Sequence, residues 1–278
     1  MATLGVLVTV YHRIEPDQLR ACLASLRDQT RPADRTVIVA DGPLTPQLEE
    51  VIAEHAAADA HTQLIRLPHN QGAGPAAAAG MEAIDQEFVA RLDADDIAAP
   101  TRFAQQLDYF AAHPDTDILG TALAEFHTDP TQVTAYRRLP EQHRDIARYA
   151  RWNSPINNPS VMMRTDAVRR AGGYRDVHHM EDYDLFARAL ATGAHLHNLP
   201  EALTYFRVDD AQFDRRTGRD MLAAEARMQS NLVSYGMIGK PRAALNFLVR
   251  TAYRLLPRRA LRRAYSCLFH RSHPHPLA

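Results

Sequence analysis

Four times before residue 113, a short apolar run gives way to a stretch of helical periodicity, and this rhythm constrains the fold more than any other feature. The runs are residues 4–11, 36–40, 63–67 and 88–92; the helical stretches are 17–29, 46–57, 74–85 and 100–112. In the first helix Leu19, Cys22, Leu23 and Leu26 recur at the spacing of one buried stripe. Strands that are apolar throughout are covered on both faces, and parallel neighbours need a crossover helix between them. The expected fold class is therefore α/β: a doubly wound, mostly parallel sheet with helices on both faces. Downstream, 118–126, 134–139, 160–164, 194–199 and 203–208 read as further strands. A helix from Glu181 to 191 carries Leu185, Phe186, Ala189 and Leu190 on its apolar face and follows a turn at Gly172-Gly173.

Ligands of such sheets bind beyond the carboxyl ends of the strands. Polar residues stand at all four ends: Thr9, Tyr11 and Arg13; Asp41; Asn70; then Asp93 and Asp95. The fourth is the most telling, because FVARLDADD (88–96) puts three carboxylates into four positions. Asp93 and Asp95, at i and i+2 across a turn, can converge on one hard cation, which would relieve their repulsion. The plainer reading is a helix cap ahead of Pro100. A second acidic pair, Glu181-Asp182, opens a helix; it either suits the helix dipole or supplies a general base. His178-His179 and His195-x-His197 could ligate a metal, although most such histidines do not. Gly72-Ala73-Gly74-Pro75-Ala76-Ala77 fits a dinucleotide fingerprint with Asp93 downstream, so a nicotinamide-dependent dehydrogenase is an alternative. Pro75 inside the loop and three clustered acids where one is wanted speak against it.

Composition narrows the setting. With 46% apolar and 23% charged residues the chain is globular. Cys22 and Cys267 form no framework. No run reaches 18 apolar residues and the N-terminal run is too short for a signal peptide, so a cytoplasmic protein is expected. The net charge of −1 hides a split: from Arg227 onward there are ten basic residues and no acidic one, against −11 before it. In this tail Arg242, Asn246, Arg250 and Arg254 form a polar stripe opposite Leu245, Leu248, Val249 and Leu256. After Pro257 a second helix sets Leu261, Ala264, Tyr265 and Leu268 against Arg258, Arg259, Arg262 and Arg263. Such helices lie on anionic membrane surfaces, and sparse aromatics argue against nucleic acid; a packed helix or a dimer contact is the alternative.

The stretches VTVYHRIEPDQLRACLASLRDQTRPADRTVIVADG, RLDADDIAAPTRF and GGYRDVHHMEDYDLFARAL, in this order, closely resemble the family 2 glycosyltransferases of the GT-A fold, especially bacterial enzymes of exopolysaccharide and O-antigen assembly. The likeness runs from Leu4 to about Gly218. It implies a GT-A glycosyltransferase domain over 1–218, a basic amphipathic helical tail over 219–278, and inverting transfer from a nucleotide-sugar donor to a saccharide acceptor. By the same resemblance Thr9, Tyr11, Asp41 and Asp93 bind the donor nucleotide. Asp93 and Asp95 hold Mg or Mn, with Asp95 the direct ligand, Asp182 is the catalytic base, and Glu181 meets the acceptor. Where many members have Ala-Arg-Asn after Asn70 this chain has Ala-Ala-Ala, so Arg215 and Arg216 are the expected diphosphate contacts instead. A lipid-linked acceptor would place the enzyme peripherally on the inner face of the cell membrane. A catalytically inactive sugar-nucleotide-binding scaffold is the alternative of another class.

Overall fold

The computed structural model describes residues 2–208 and 219–254. The four expected strands are present as β1 (Leu4–Val10), β2 (Arg35–Ala40), β3 (Thr62–Arg66) and β4 (Phe88–Arg91), all parallel and ordered β3-β2-β1-β4. They alternate with α1 (Pro16–Arg27), α2 (Pro46–Ala58), α3 (Ala73–Glu82) and α4 (Arg102–Ala112). Proline at the first turn starts α1 and α2, and the Thr45 hydroxyl accepts from Leu48 N at 3.3 Å to cap the latter.

Side chains alternate across β1, as strand geometry requires. Val6, Val8 and Val10 enter one core with Leu19, Leu23, Leu48, Ile52 and Phe103, whereas Leu7 enters the other with Ala76, Ala77, Val168 and Phe186. The two cores on opposite faces account for the apolar character of the whole strand. Gly80 lets α3 close onto the sheet, since a Cβ there would lie 2.2 Å from Leu7 Cδ1.

Beyond β4 the sheet mixes directions. It adds β5 (Ile97–Ala98), β6 (Ile118–Phe126), β7 (Ala135–Arg137), β8 (Met162–Arg164) and β9 (Leu196–Arg207). The order continues from β4 through β8, β6 and β9 to β5; β8 is antiparallel to β4 and β6, and β6 is parallel to β9. The two strands expected at 194–199 and 203–208 are one strand, β9. Pro200-Glu201 interrupts the apolar pattern, but the chain stays extended and absorbs the irregularity as a register shift opposite Ala122. The helices α5 (His143–Tyr149), α6 (Thr165–Arg170) and α7 (Glu181–Ala191) pack around this half.

Two helices follow, α8 (Arg219–Ser234) and α9 (Lys240–Arg254). Met221, Ala224, Met228 and Leu232 of α8 pack on Val177, Met180, Tyr183 and Ala187. Among the described residues no helix is long and apolar enough to cross a membrane.

Two residues of the polar stripe of α9, Asn246 and Arg250, face inward, while Arg242 stays exposed. Asn246 is fully buried and donates to Arg151 O at 2.9 Å and Gln229 Oε1 at 3.1 Å. Arg250 donates to Trp152 O at 2.8 Å and Asn153 Oδ1 at 3.0 Å, and pairs with buried Glu225 at 2.7 Å. The side chains of Arg254 and of residues 255–278, including the second tail helix, lie outside the described residues.

Candidate active site

The turn after β4 is drawn tight by Asp96 N, which donates to Asp93 O at 3.0 Å. Its three carboxylates have different fates. Asp93 is about a third exposed and accepts from Arg91 Nη2 at 3.2 Å. Asp95 is half-buried, and its carbonyl accepts from Arg207 Nε at 3.1 Å. Asp96 is fully buried, and its Oδ1 accepts from Arg207 N at 2.8 Å. Burial, then the charges of Asp95 and Asp93, push the Asp96 carboxyl well above the usual range. The inner acid therefore fastens the end of β9 to the turn, while the outer two stay partly exposed.

None of these acids caps a helix. The α4 N-cap is Thr101, and β5 intervenes, so the cap reading of DADD does not hold. Arg102 of α4 braces the turn from below: fully buried, it donates to Arg91 O at 2.7 Å, Pro159 O at 2.9 Å and Val161 O at 3.2 Å.

At the neighbouring strand ends Asp41 N donates to Val10 O at 2.7 Å, which sets Asp41 beside Tyr11. The Asp41 carboxylate accepts from Gln71 N at 2.7 Å and Gly72 N at 3.0 Å, while its carbonyl accepts from Asn70 Nδ2 at 3.2 Å. Gly42, at φ 84°, lets the 69–70 segment pass close. The amides at Gln71 and Gly72, which a dinucleotide fingerprint would offer to a pyrophosphate, are thus already engaged by Asp41. Thr9 and Tyr11 are half-buried at the same edge.

α3 starts against the second acidic pair. A Cβ on Gly74 would lie 2.3 Å from Arg175 O and 3.2 Å from Glu181 Cβ, so the 174–181 segment rests directly on the helix start. Glu181 and Asp182 are both half-buried at the opening of α7, and Asp182 Oδ1 accepts from Tyr183 N at 2.7 Å. Burial first, and the Asp182 charge second, push the Glu181 carboxyl up to about 7. Arg91 and Asp93 act on Glu181 as well, and all four groups act on the buried Tyr174 hydroxyl, whose pKa burial raises most. Arg91 also lies 5.8 Å from the Tyr174 ring centroid. Asp93, Glu181 and Asp182 consequently share one electrostatic neighbourhood with Arg91 as its buried cation.

Two residues further along the same motif the acid changes role. Asp184, fully buried, pairs with Arg188 at 2.8 Å and accepts from Asn231 Nδ2 at 2.9 Å and Tyr235 Oη at 2.7 Å. Arg188 also donates to Gly173 O at 2.7 Å, fixing the glycine turn. Tyr183 donates to Ala150 O at 2.6 Å.

The histidine pairs do not assemble a metal site. His195 stacks on His143 at 4.4 Å and His197 on Tyr109 at 4.7 Å, and among the described residues no group of three or more His, Cys, Asp or Glu could hold a metal ion. Arg215 and Arg216 lie outside the described residues. Sequence reasoning passed over Arg91, Arg102, Tyr174 and Arg207. Arg91 had one signal available, a lone charge inside an otherwise apolar run.

The sequence model described as glycosyl transferase family 2 matches residues 5–172. The chain is 35% identical to the amylovoran biosynthesis glycosyltransferase AmsE of Erwinia amylovora, over 94% of this chain and 97% of the relative. It is 29% identical to the UDP-Gal:alpha-D-GlcNAc-diphosphoundecaprenol beta-1,3-galactosyltransferase of Escherichia coli, over 91% of each chain. Among solved structures, S. aureus TarS 1-349 in complex with UDP-GlcNAc superposes with a TM-score of 0.68 at 16% identity, over 89% of this chain and 72% of that one; this likeness bears on the fold.

Proposed function

The chain belongs to glycosyl transferase family 2, and from that premise we propose that it moves a sugar from a nucleotide-sugar donor to a hydroxyl of a lipid-linked saccharide acceptor, inverting the anomeric carbon, in the assembly of a cell-surface polysaccharide. The observation that carries this reading is that Asp93, at the carboxyl end of β4, shares one electrostatic neighbourhood with Glu181 and Asp182 at the start of α7. The polysaccharide and the lipid-linked acceptor are supported by the names of the two relatives.

The donor set fits a hard divalent cation shared with a ligand: two carboxylates at i and i+2, with the remaining positions left to phosphate oxygens and water. Asp95, with Asp93 beside it, would hold Mg or Mn, which supplies charge neutralisation for the departing diphosphate. Thr9, Tyr11 and Asp41 bind the nucleoside, and Arg215 and Arg216, which lie outside the described residues, are the proposed diphosphate contacts. Asp182 takes the proton of the acceptor hydroxyl, which attacks the anomeric carbon from the face opposite the nucleotide. Glu181, near 7, exchanges hydrogen bonds with acceptor hydroxyls in either protonation state. Turnover on a lipid-linked acceptor places the protein peripherally on the inner membrane face.

The test is transfer from a panel of nucleotide sugars with Mn, repeated in excess chelator and with Asp95→Asn. Transfer with one donor, lost under both changes, is expected. Full activity in chelator removes the metal from the reading, and absence of transfer with every donor removes the reading itself.

A further inference from the structure

The tail helix α9 is turned opposite to an ordinary packed amphipathic helix. Its polar residues Asn246 and Arg250 are spent on the interior, whereas Leu245, Leu248 and Val249 are 51%, 64% and 44% exposed. They are the exposed large hydrophobics among the described residues, and they stand at i, i+3 and i+4, so they form one stripe. Placing leucines in water while burying an asparagine and an arginine is the reverse of what folding alone favours, and a contiguous exposed apolar stripe marks a contact surface.

We infer that this stripe is the face on which the protein docks to an anionic lipid bilayer, with the leucines entering the interface and the α9 polar residues locked to the catalytic domain. The occupant follows from the sequence beyond α9. Residues 255–278 carry five arginines (Arg258, Arg259, Arg262, Arg263 and Arg271) and no acid, and Lys240 and Arg242 stand exposed at the helix start. An apolar stripe flanked by cations is complementary to acyl chains beneath anionic headgroups. Three side chains fall well short of the ~800 Å² that each partner of a standard protein interface buries, which disfavours a second copy.

The locking contacts give the docking an orientation. Asn246 and Arg250 bind the 151–153 segment, and Tyr183, next to Asp182, binds Ala150. The bilayer surface is thereby held in a fixed relation to the proposed base. In this respect the inference rests on the proposed lipid-linked acceptor; the docking itself does not.

The experiment is flotation of the full chain with phosphatidylglycerol-containing vesicles, for the wild type and for Leu245→Gln/Leu248→Gln. Both changed positions are exposed, so folding is undisturbed, and thermal unfolding checks this. Wild-type flotation that drops on the order of tenfold per leucine removed, with transfer to a water-soluble acceptor unchanged, is the expected result. Arg258→Gln/Arg259→Gln/Arg262→Gln/Arg263→Gln should weaken flotation chiefly at low salt and on anionic vesicles. Equal flotation of the leucine variant and wild type, no flotation of either, or a wild-type dimer in sedimentation that the leucine variant dissolves would each overturn the inference. A chain that floats yet transfers no sugar would leave the docking face standing and remove the catalytic reading.

Discussion

The DADD turn and the EDYD helix start are both runs of acid that meet in one electrostatic neighbourhood, yet they are built differently. In each, the outer acids are half-exposed and the innermost is fully buried. The buried acid of the turn, Asp96, has one backbone N–H on Oδ1 and, among the described residues, no hydrogen-bond partner on Oδ2, and burial pushes its carboxyl well above the usual range. That of the helix, Asp184, has a guanidinium, an amide and a phenol. An acid-rich motif is therefore not one functional unit: the same letters supply an outer layer that can meet ligand and an inner layer that fixes where it stands.

The strongest way to break this division is at the outer layer. Asp182→Asn should lower transfer by ~10² to 10⁴ while donor binding, read by calorimetry, stays near wild type. Lost donor binding would make Asp182 part of the nucleotide site instead. The inner layer should answer in stability. Asp184→Ala strands Arg188 and should cost about 3–5 kcal/mol in urea unfolding, whereas Asp96→Asn, a near-isostere that keeps an acceptor for Arg207 N, should cost about 1 kcal/mol. Similar losses at the two sites would erase the contrast.

The smallest effect sharpens the comparison within the helix. The Glu181 carboxyl stands at about 7 against an ordinary 4.5, so the folded state binds the proton more tightly than the unfolded one. The stability this contributes is complete below about 4.5 and is lost as pH rises through 7. Glu181→Gln should remove that loss: the Tm of the variant should match wild type near pH 4.5 and exceed it at pH 8, by the equivalent of about 1–2 kcal/mol once the ~3 kcal/mol of the full shift is reduced for solvent screening of a partly exposed group. A gap that stays constant with pH would mean that Glu181 is not the group being stabilised as its acid.

The parallel half of the sheet was legible because β1, β2 and β4 are covered on both faces and read as nearly unbroken apolar runs, and the edge strand β3 still puts Leu64 against one core and Ile65 against the other. β5 was not: two residues carry no periodicity, and they are extended because β9 lies alongside. For the site, spacing located both acidic pairs but could not divide Asp93 and Asp95 from Asp96, since the division is made by Arg207, more than a hundred positions away. The tail shows the same limit most plainly. Both stripes of α9 could be read at helical spacing, but which one turns inward depends on Glu225, Gln229 and the carbonyls of Arg151 and Trp152.

Gly74 has a consequence for how this enzyme can change over generations. With no room for even one methyl group between α3 and Arg175 O, the helix start and the 174–181 segment behave as meshed parts. An insertion in that segment cannot be absorbed locally, because the glycine has nothing left to give up. New acceptor preferences should therefore be reached by exchanging exposed side chains such as His178 and His179 on a backbone of unchanged length, and a directed-evolution library over those positions at constant length should yield more folded variants than one that varies length.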